Sequence, residues 1–164
     1  DAEKLADATR YPPLGGRSFG PIRGLLYGGS DYPQHANDEI AVLAMIETKG
    51  GIDNLEDILK VDGIDGVYIG PSDLSLAVGC KPSFDVLEKP AQEAADYILA
   101  KTVEAGKIAG IHNMSTKAAL TRKEAGYRFL TVCSDARLMA AGAQQVLGEM
   151  RPDGGARKEP QSGY

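Results

Sequence analysis

The sequence predicts an α/β fold built on a parallel sheet, and three observations carry that prediction. Four short apolar runs lack strict alternation, as strands buried on both faces do. Helix-like segments separate them, giving a strand-helix rhythm that calls for right-handed βαβ crossovers. The length of 164 residues suits one domain, read as residues 1–150 followed by a polar tail.

The elements follow in chain order. Asp1–Arg10 reads as a helix with Leu5, Ala6 and Ala8 apolar, stopped at Tyr11-Pro12-Pro13. Pro12–Ser30 is a Gly/Pro-rich loop, longer than most connections in a compact domain and therefore a candidate for function. Asp31–Glu39 is amphipathic and reads as a surface helix carrying His35. Ile40–Glu47 is the first strand, and Asp53–Lys60 a helix with Leu55, Ile58 and Leu59 on one face. Gly66–Gly70 is the second strand, followed by a short helix at Leu74–Val78. Pro90–Ala105 spaces Ala94, Ala95, Ile98, Leu99, Thr102 and Val103 as a helix does, and Gly106 ends it. Ile108–His112 is the third strand. Thr116–Ala125 is a helix capped by Ser115 and closed by Gly126. Phe129–Ser134 is the fourth strand, and Asp135–Met150 a last helix built on Leu138, Met139, Ala143, Val146 and Leu147. Arg151–Tyr164 is polar and reads as a disordered tail.

Composition narrows the function classes. The chain has 18 Lys+Arg against 23 Asp+Glu, a net charge of -5, which argues against general affinity for nucleic acid or an anionic membrane. No apolar run approaches the roughly 20 residues needed to span a bilayer, and no signal-peptide pattern opens the sequence. The two cysteines, Cys80 and Cys133, make no disulfide scaffold and share no metal-ligand spacing, so a cytoplasmic setting is expected.

In parallel α/β folds the working residues stand at the C-terminal ends of strands. Those positions here are Glu47 and Thr48, Pro71-Ser72-Asp73, His112 and Asn113, and Ser134 and Asp135. A carboxylate ending the apolar strand at Glu47 needs a cation, hydrogen bonds or solvent, and capping of the next loop is an equal reading. Asp73 follows a Gly-Pro turn, where it serves as an N-cap or Asx-turn residue, or as a ligand. Two carboxylates on neighbouring strand ends suit a hard octahedral ion such as Mg²⁺ or Mn²⁺. His112 lines a pocket at its strand end or is satisfied locally. The Gly15-Gly16 and Gly28-Gly29 patterns follow no strand, so a dinucleotide-binding reading is weak.

Tyr11-Pro12-Pro13 with the glycine-rich loop to Gly20, Met45-Ile46-Glu47-Thr48, and Gly66-Val67-Tyr68-Ile69-Gly70-Pro71-Ser72-Asp73-Leu74 together resemble the HpcH/HpaI aldolase family. These are metal-dependent (class II) pyruvate aldolases acting on 2-keto-3-deoxy and 4-hydroxy-2-oxo acids. The resemblance runs from Asp1 to about Met150, and the separation of Glu47 from Asp73 matches that of the family's metal-binding carboxylates. It implies that Glu47 and Asp73 hold a divalent cation (Mg²⁺, Mn²⁺ or Co²⁺). Pyruvate would chelate that ion, with its carboxylate received by the amides around Ser72 and Asp73. His112 would line the substrate pocket. The ion would act as a Lewis acid in breaking the C3–C4 bond. A homo-oligomer handling a small oxo acid is implied as well.

The resemblance also implies a (β/α)8 TIM barrel, which takes about 250 residues, or roughly 31 per unit. The four βα units from Ile40 onward are then the last half of a barrel. The family's acid/base histidine and its pyruvate-polarising arginine belong to early strands and have no counterpart at matching positions here, so the catalytic group is unassigned. Arg10, Arg17 and Arg23 are not substitutes, and Met45 stands where some members carry a glutamine. An acyl-CoA lyase of the citrate-lyase-β or malyl-CoA-lyase branch is the nearest alternative, though no basic patch for CoA phosphates is evident. A non-catalytic fragment that binds metal and pyruvate is the alternative from a different class.

Overall fold

The computed structural model of the chain describes residues 1–151, so the expectation of a disordered tail lies, apart from Arg151, outside the described residues. The order of elements is α1 (Ala2–Thr9), α2 (Ile22–Gly28), α3 (Tyr32–Glu39), β1 (Leu43–Met45), α4 (Lys49–Asp53), α5 (Leu55–Leu59), β2 (Gly66–Ile69), α6 (Pro71–Ala77), α7 (Lys89–Glu104), β3 (Ile108–Asn113), α8 (Thr116–Ala125), β4 (Phe129–Val132) and α9 (Asp135–Met150). The chain divides into two compact units, Asp1–Val132 with the whole sheet and the segment from Cys133 with α9. Ser134 caps α9 by accepting from the Arg137 N–H at 3.4 Å.

The strands are all parallel and lie side by side in chain order, β1-β2-β3-β4. A doubly wound sheet reverses its strand order and carries helices on both faces. Sequential order with right-handed crossovers sends the helices to one face, as in a barrel wall. Burial follows that geometry. Val67, Ile69, Ala109 and Ile111 pack on one face against Leu55 and Leu59 of α5, Leu74 of α6, and Ala95 and Ile98 of α7. Each large aliphatic side chain buried there contributes about 1.5–3 kcal/mol of apolar transfer. The alternate residues Tyr68, Gly110, His112, Phe129 and Thr131 belong to the opposite face.

Local chemistry explains where the elements depart from the sequence reading. β1 is shorter than expected because the Val42 N–H is taken by the Asp65 carboxylate at 2.7 Å and Val42 O accepts from Asp65 N at 2.8 Å, so the ladder begins at Leu43. The helix expected over Asp53–Lys60 is α5, and a second short helix, α4, precedes it. Thr48 caps α4, accepting from the Gly51 N–H at 3.1 Å, and Asn54 divides them, its side chain donating to Gly50 O at 2.8 Å. Ile22–Gly28 forms a helical turn within the segment read as loop. Gly126 closes α8 at φ 117°, a left-handed conformation that glycine adopts without Cβ strain.

Candidate active site at the strand ends

Glu47 and Asp73 leave neighbouring strand ends and converge over Gly70. A Cβ built on Gly70 would overlap Glu47 Oε2 and lie 3.8 Å from Asp73 Oδ2, so the absent side chain is the space the two carboxylates share. The sheet register produces this meeting. Met45 pairs with Tyr68, which sets Glu47, two residues on, level with Gly70 on the same face.

Neither carboxylate does the ordinary work of capping. Thr48 caps α4, and the N-cap of α6 is Gly70, with Pro71 in the first turn and no side-chain cap bond from Asp73. Among the described residues, no Lys or Arg forms an ion pair with Glu47 or Asp73. Partial burial, and after it the charge of Asp73, holds the Glu47 carboxyl above its ordinary pKa. Like charges brought together without a counter-charge, on a floor cleared by a glycine, fit a divalent cation bound through oxygen. The described residues contain no cluster of three or more His, Cys, Asp or Glu, so the protein's share of such a site is this pair.

Ser72 and Asp73 occupy the first turn of α6, where N–H groups precede any intrahelical acceptor; the Leu74 N–H is the one that reaches back to Gly70 O, at 2.9 Å. The Ser72 hydroxyl itself turns away and donates to Ser83 O at 3.4 Å. His112 is half-buried on the same sheet face. Its Nδ1 lies 2.8 Å from Thr131 Oγ1, and Phe84 meets its ring edge-on at 5.6 Å. Thr131 Oγ1 in turn lies 2.5 Å from Tyr68 OH. His35, by contrast, stands on the exposed surface of α3 beside Asp31 at 3.7 Å, as the sequence suggests.

Arg122 and Asp85, which the sequence did not single out, hold this end of the sheet in place together with Asn113. Arg122 of α8 is only 9% exposed and donates through Nη1 to His112 O at 2.6 Å and Asn113 Oδ1 at 3.0 Å, and through Nη2 to Phe84 O at 2.6 Å. Burial lowers its pKa from the ordinary arginine value, yet a guanidinium remains charged. Asn113, fully buried, donates to Ile111 O and Thr131 O, both at 3.0 Å, and the Asp85 carboxylate accepts from the Met114 N–H at 2.8 Å. Together these bonds join β3, β4 and the loop at Phe84 behind His112. A lone arginine on a helix reads as a surface charge, so nothing in the sequence marked Arg122. Thr131 and Tyr68 gave a faint signal, as single polar groups inside apolar strands.

Comparison with known proteins gives the same assignment from two directions. The model of the HpcH/HpaI aldolase/citrate lyase family matches residues 1–141. A hydroxypyruvate/pyruvate aldolase of Rhizorhabdus wittichii is 40% identical over 151 residues, covering 92% of this chain and 60% of that protein. A 4-hydroxy-2-oxo-heptane-1,7-dioate aldolase of Shigella flexneri is 38% identical over 149 residues, covering 89% and 55% respectively. Among solved structures, an HpcH/HpaI aldolase/citrate lyase family protein of Burkholderia cenocepacia superposes with a TM-score of 0.77 at 32% identity, over 92% of this chain and 60% of that one. The chain thus spans about 60% of the length of such relatives.

Proposed function

The chain belongs to the HpcH/HpaI aldolase/citrate lyase family, and we propose that it supplies the metal- and pyruvate-binding half of a carbon–carbon lyase that cleaves a 4-hydroxy-2-oxo acid to pyruvate and an aldehyde. The observation that carries this reading is the convergence of Glu47 and Asp73 over Gly70 with neither carboxylate engaged, among the described residues, in a cap or ion pair. In the reaction the C4 hydroxyl loses its proton, the C3–C4 bond breaks to leave an aldehyde, and C3 is protonated to become the methyl group of pyruvate.

Glu47 and Asp73 would hold a divalent cation, Mg²⁺, Mn²⁺ or Co²⁺, which when bound supplies Lewis-acid polarisation of the keto oxygen. The first-turn amides of Ser72 and Asp73 would receive the oxo-acid carboxylate, orienting it at the helix end. His112 would face the aldehyde half. The proton-transfer group and the arginine of the family's early strands have no counterpart among these residues and would belong to the other half of the barrel. A homo-oligomeric assembly and a cytoplasmic setting complete the proposal; among the described residues no helix is long and apolar enough to cross a membrane.

Calorimetric titration with Mn²⁺, paired with an assay of pyruvate release, tests the reading. Glu47→Ala and Asp73→Ala are each expected to abolish Mn²⁺ binding, and a chelator to abolish pyruvate release. Undiminished Mn²⁺ affinity in both variants overturns the site. Turnover of a malyl-CoA thioester, with none of a hydroxy-oxo acid, moves the chain to the acyl-CoA branch of the family.

A further inference from the structure

We propose that the cavity between α7 and α8 is a second binding site, and that it takes a small zwitterion with an apolar body, an α-amino acid with a hydrocarbon side chain. The inference concerns the helix face of the sheet and stands apart from the lyase reading of the strand ends.

The cavity holds about 420 Å³, within the roughly 300–1,000 Å³ usual for small-ligand sites. All of its walls belong to one compact unit, Asp1–Val132. Ala95 of α7 and Ala118 and Ala125 of α8 line it with methyl groups, which leaves the space between the two helices unfilled. The floor is apolar. Ile111 of β3 is buried there, and the Tyr127 hydroxyl already donates to Ala95 O at 3.2 Å, so the tyrosine offers its ring.

Charge gives the cavity its selectivity. Four charged side chains line it, Asp85, Asp96, Lys117 and Arg122, and among the described residues none of them forms an ion pair. Arg122 is the buried member. Its guanidinium meets three neutral oxygens, His112 O, Asn113 Oδ1 and Phe84 O, and no carboxylate. A buried cation balanced by dipoles alone gains from an anion. Lys117 adds a second cation at the exposed rim.

The two acids are each engaged through one oxygen. Asp85 Oδ1 accepts from the Met114 N–H at 2.8 Å, and Gln92 Nε2 donates to Asp96 Oδ1 at 2.8 Å. The second oxygen of each is left for a cationic donor. A ligand of one sign would satisfy half of this set and be repelled by the other half. A zwitterion satisfies both, its carboxylate drawn to Arg122 and Lys117 and its ammonium to Asp85 and Asp96. Its hydrocarbon body then rests on Ile111 and Ala95.

Calorimetric titration of the full chain with L-valine, L-leucine and L-phenylalanine tests the proposal. The controls are 4-methylpentanoate and 3-methylbutylamine, which are leucine without its ammonium and without its carboxylate. Leucine is expected to bind at least tenfold more tightly than either control. Asp96→Asn, on the exposed side of α7, is expected to weaken leucine by about threefold to fivefold. Ala118→Phe, which fills the cavity, is expected to abolish binding while the circular dichroism spectrum stays that of wild type.

Saturating leucine is also expected to slow hydrogen exchange at the Met114 amide, whose acceptor Asp85 lines the cavity. The proposal is overturned if none of the three amino acids binds, or if 4-methylpentanoate or 3-methylbutylamine binds as tightly as leucine. Leucine affinity unmoved in both variants overturns the location, and unchanged Met114 exchange overturns the contact with Asp85. No metal or turnover enters these measurements, so their failure leaves the lyase reading standing, and failure of that reading leaves the cavity as found.

Discussion

Glu47 and Asp73 share the space that a side chain at position 70 would fill, since a Cβ there would overlap Glu47 Oε2 and lie 3.8 Å from Asp73 Oδ2. Gly70→Ala therefore tests the pair without removing either carboxylate. The added methyl group must push Glu47 aside, because the backbone of the β2–α6 junction is fixed by the Leu74 N–H bond to Gly70 O. Mn²⁺ affinity measured by calorimetry is expected to fall by about tenfold to a hundredfold, with the fold intact by circular dichroism.

The raised pKa of Glu47 gives a pH dependence of known sign. Burial first, and the Asp73 charge second, lift the folded-state value above 4.5, so the folded protein keeps a proton that the unfolded chain has released. Protons bound are then fewer in the unfolded state, and stability of the metal-free protein falls as pH rises from 4.5 to the folded-state value. Thermal midpoints of wild type and Glu47→Gln across that window check this: the wild-type midpoint declines relative to the variant. Saturating Mn²⁺, which requires the ionised carboxylate, is expected to reverse the slope.

Arg122 ties α8 to the end of β3 and to the loop at Phe84 through three acceptors. Arg122→Met keeps much of the buried stem but leaves His112 O, Asn113 Oδ1 and Phe84 O without that donor. Urea denaturation is expected to show a loss of about 3 kcal/mol.

Ile98 of α7 is fully buried against the helix face of the sheet. Ile98→Ala should cost about 2–5 kcal/mol by cavity formation, read from the denaturation midpoint. Mn²⁺ affinity is expected to be unchanged under conditions where the variant remains folded, because the opposite sheet face and the strand ends carry the site.

Much of the architecture was legible because it depends on short-range pattern. Apolar runs without alternation marked strands covered on both faces, and Ser115 with Gly126 marked α8 from cap to cap. The strand ends that gather the candidate site, Glu47, Ser72, Asp73 and His112, followed from the same pattern. Elements set by local competition were less legible. Asn54 ends α4 with both its N–H and its side chain on Gly50 O, and β1 starts late because Asp65 captures the Val42 N–H. Spacing alone does not show where such side-chain bonds form.

The sequence by itself determined a parallel α/β sheet, the acidic balance of the chain, and the family whose motifs carry Glu47 and Asp73. Only the tertiary structure decided which strand neighbours which, and the site depends on that order. Register across β1, β2 and β3 places Glu47, Gly70 and His112 side by side. The same register draws Tyr68 over Gly110 to Thr131, and packing between α8 and β3 buries Arg122 behind them. A glycine's value as open space, or a lone arginine's as an anchor, is a property of what surrounds it in three dimensions, and sequence separation does not encode it.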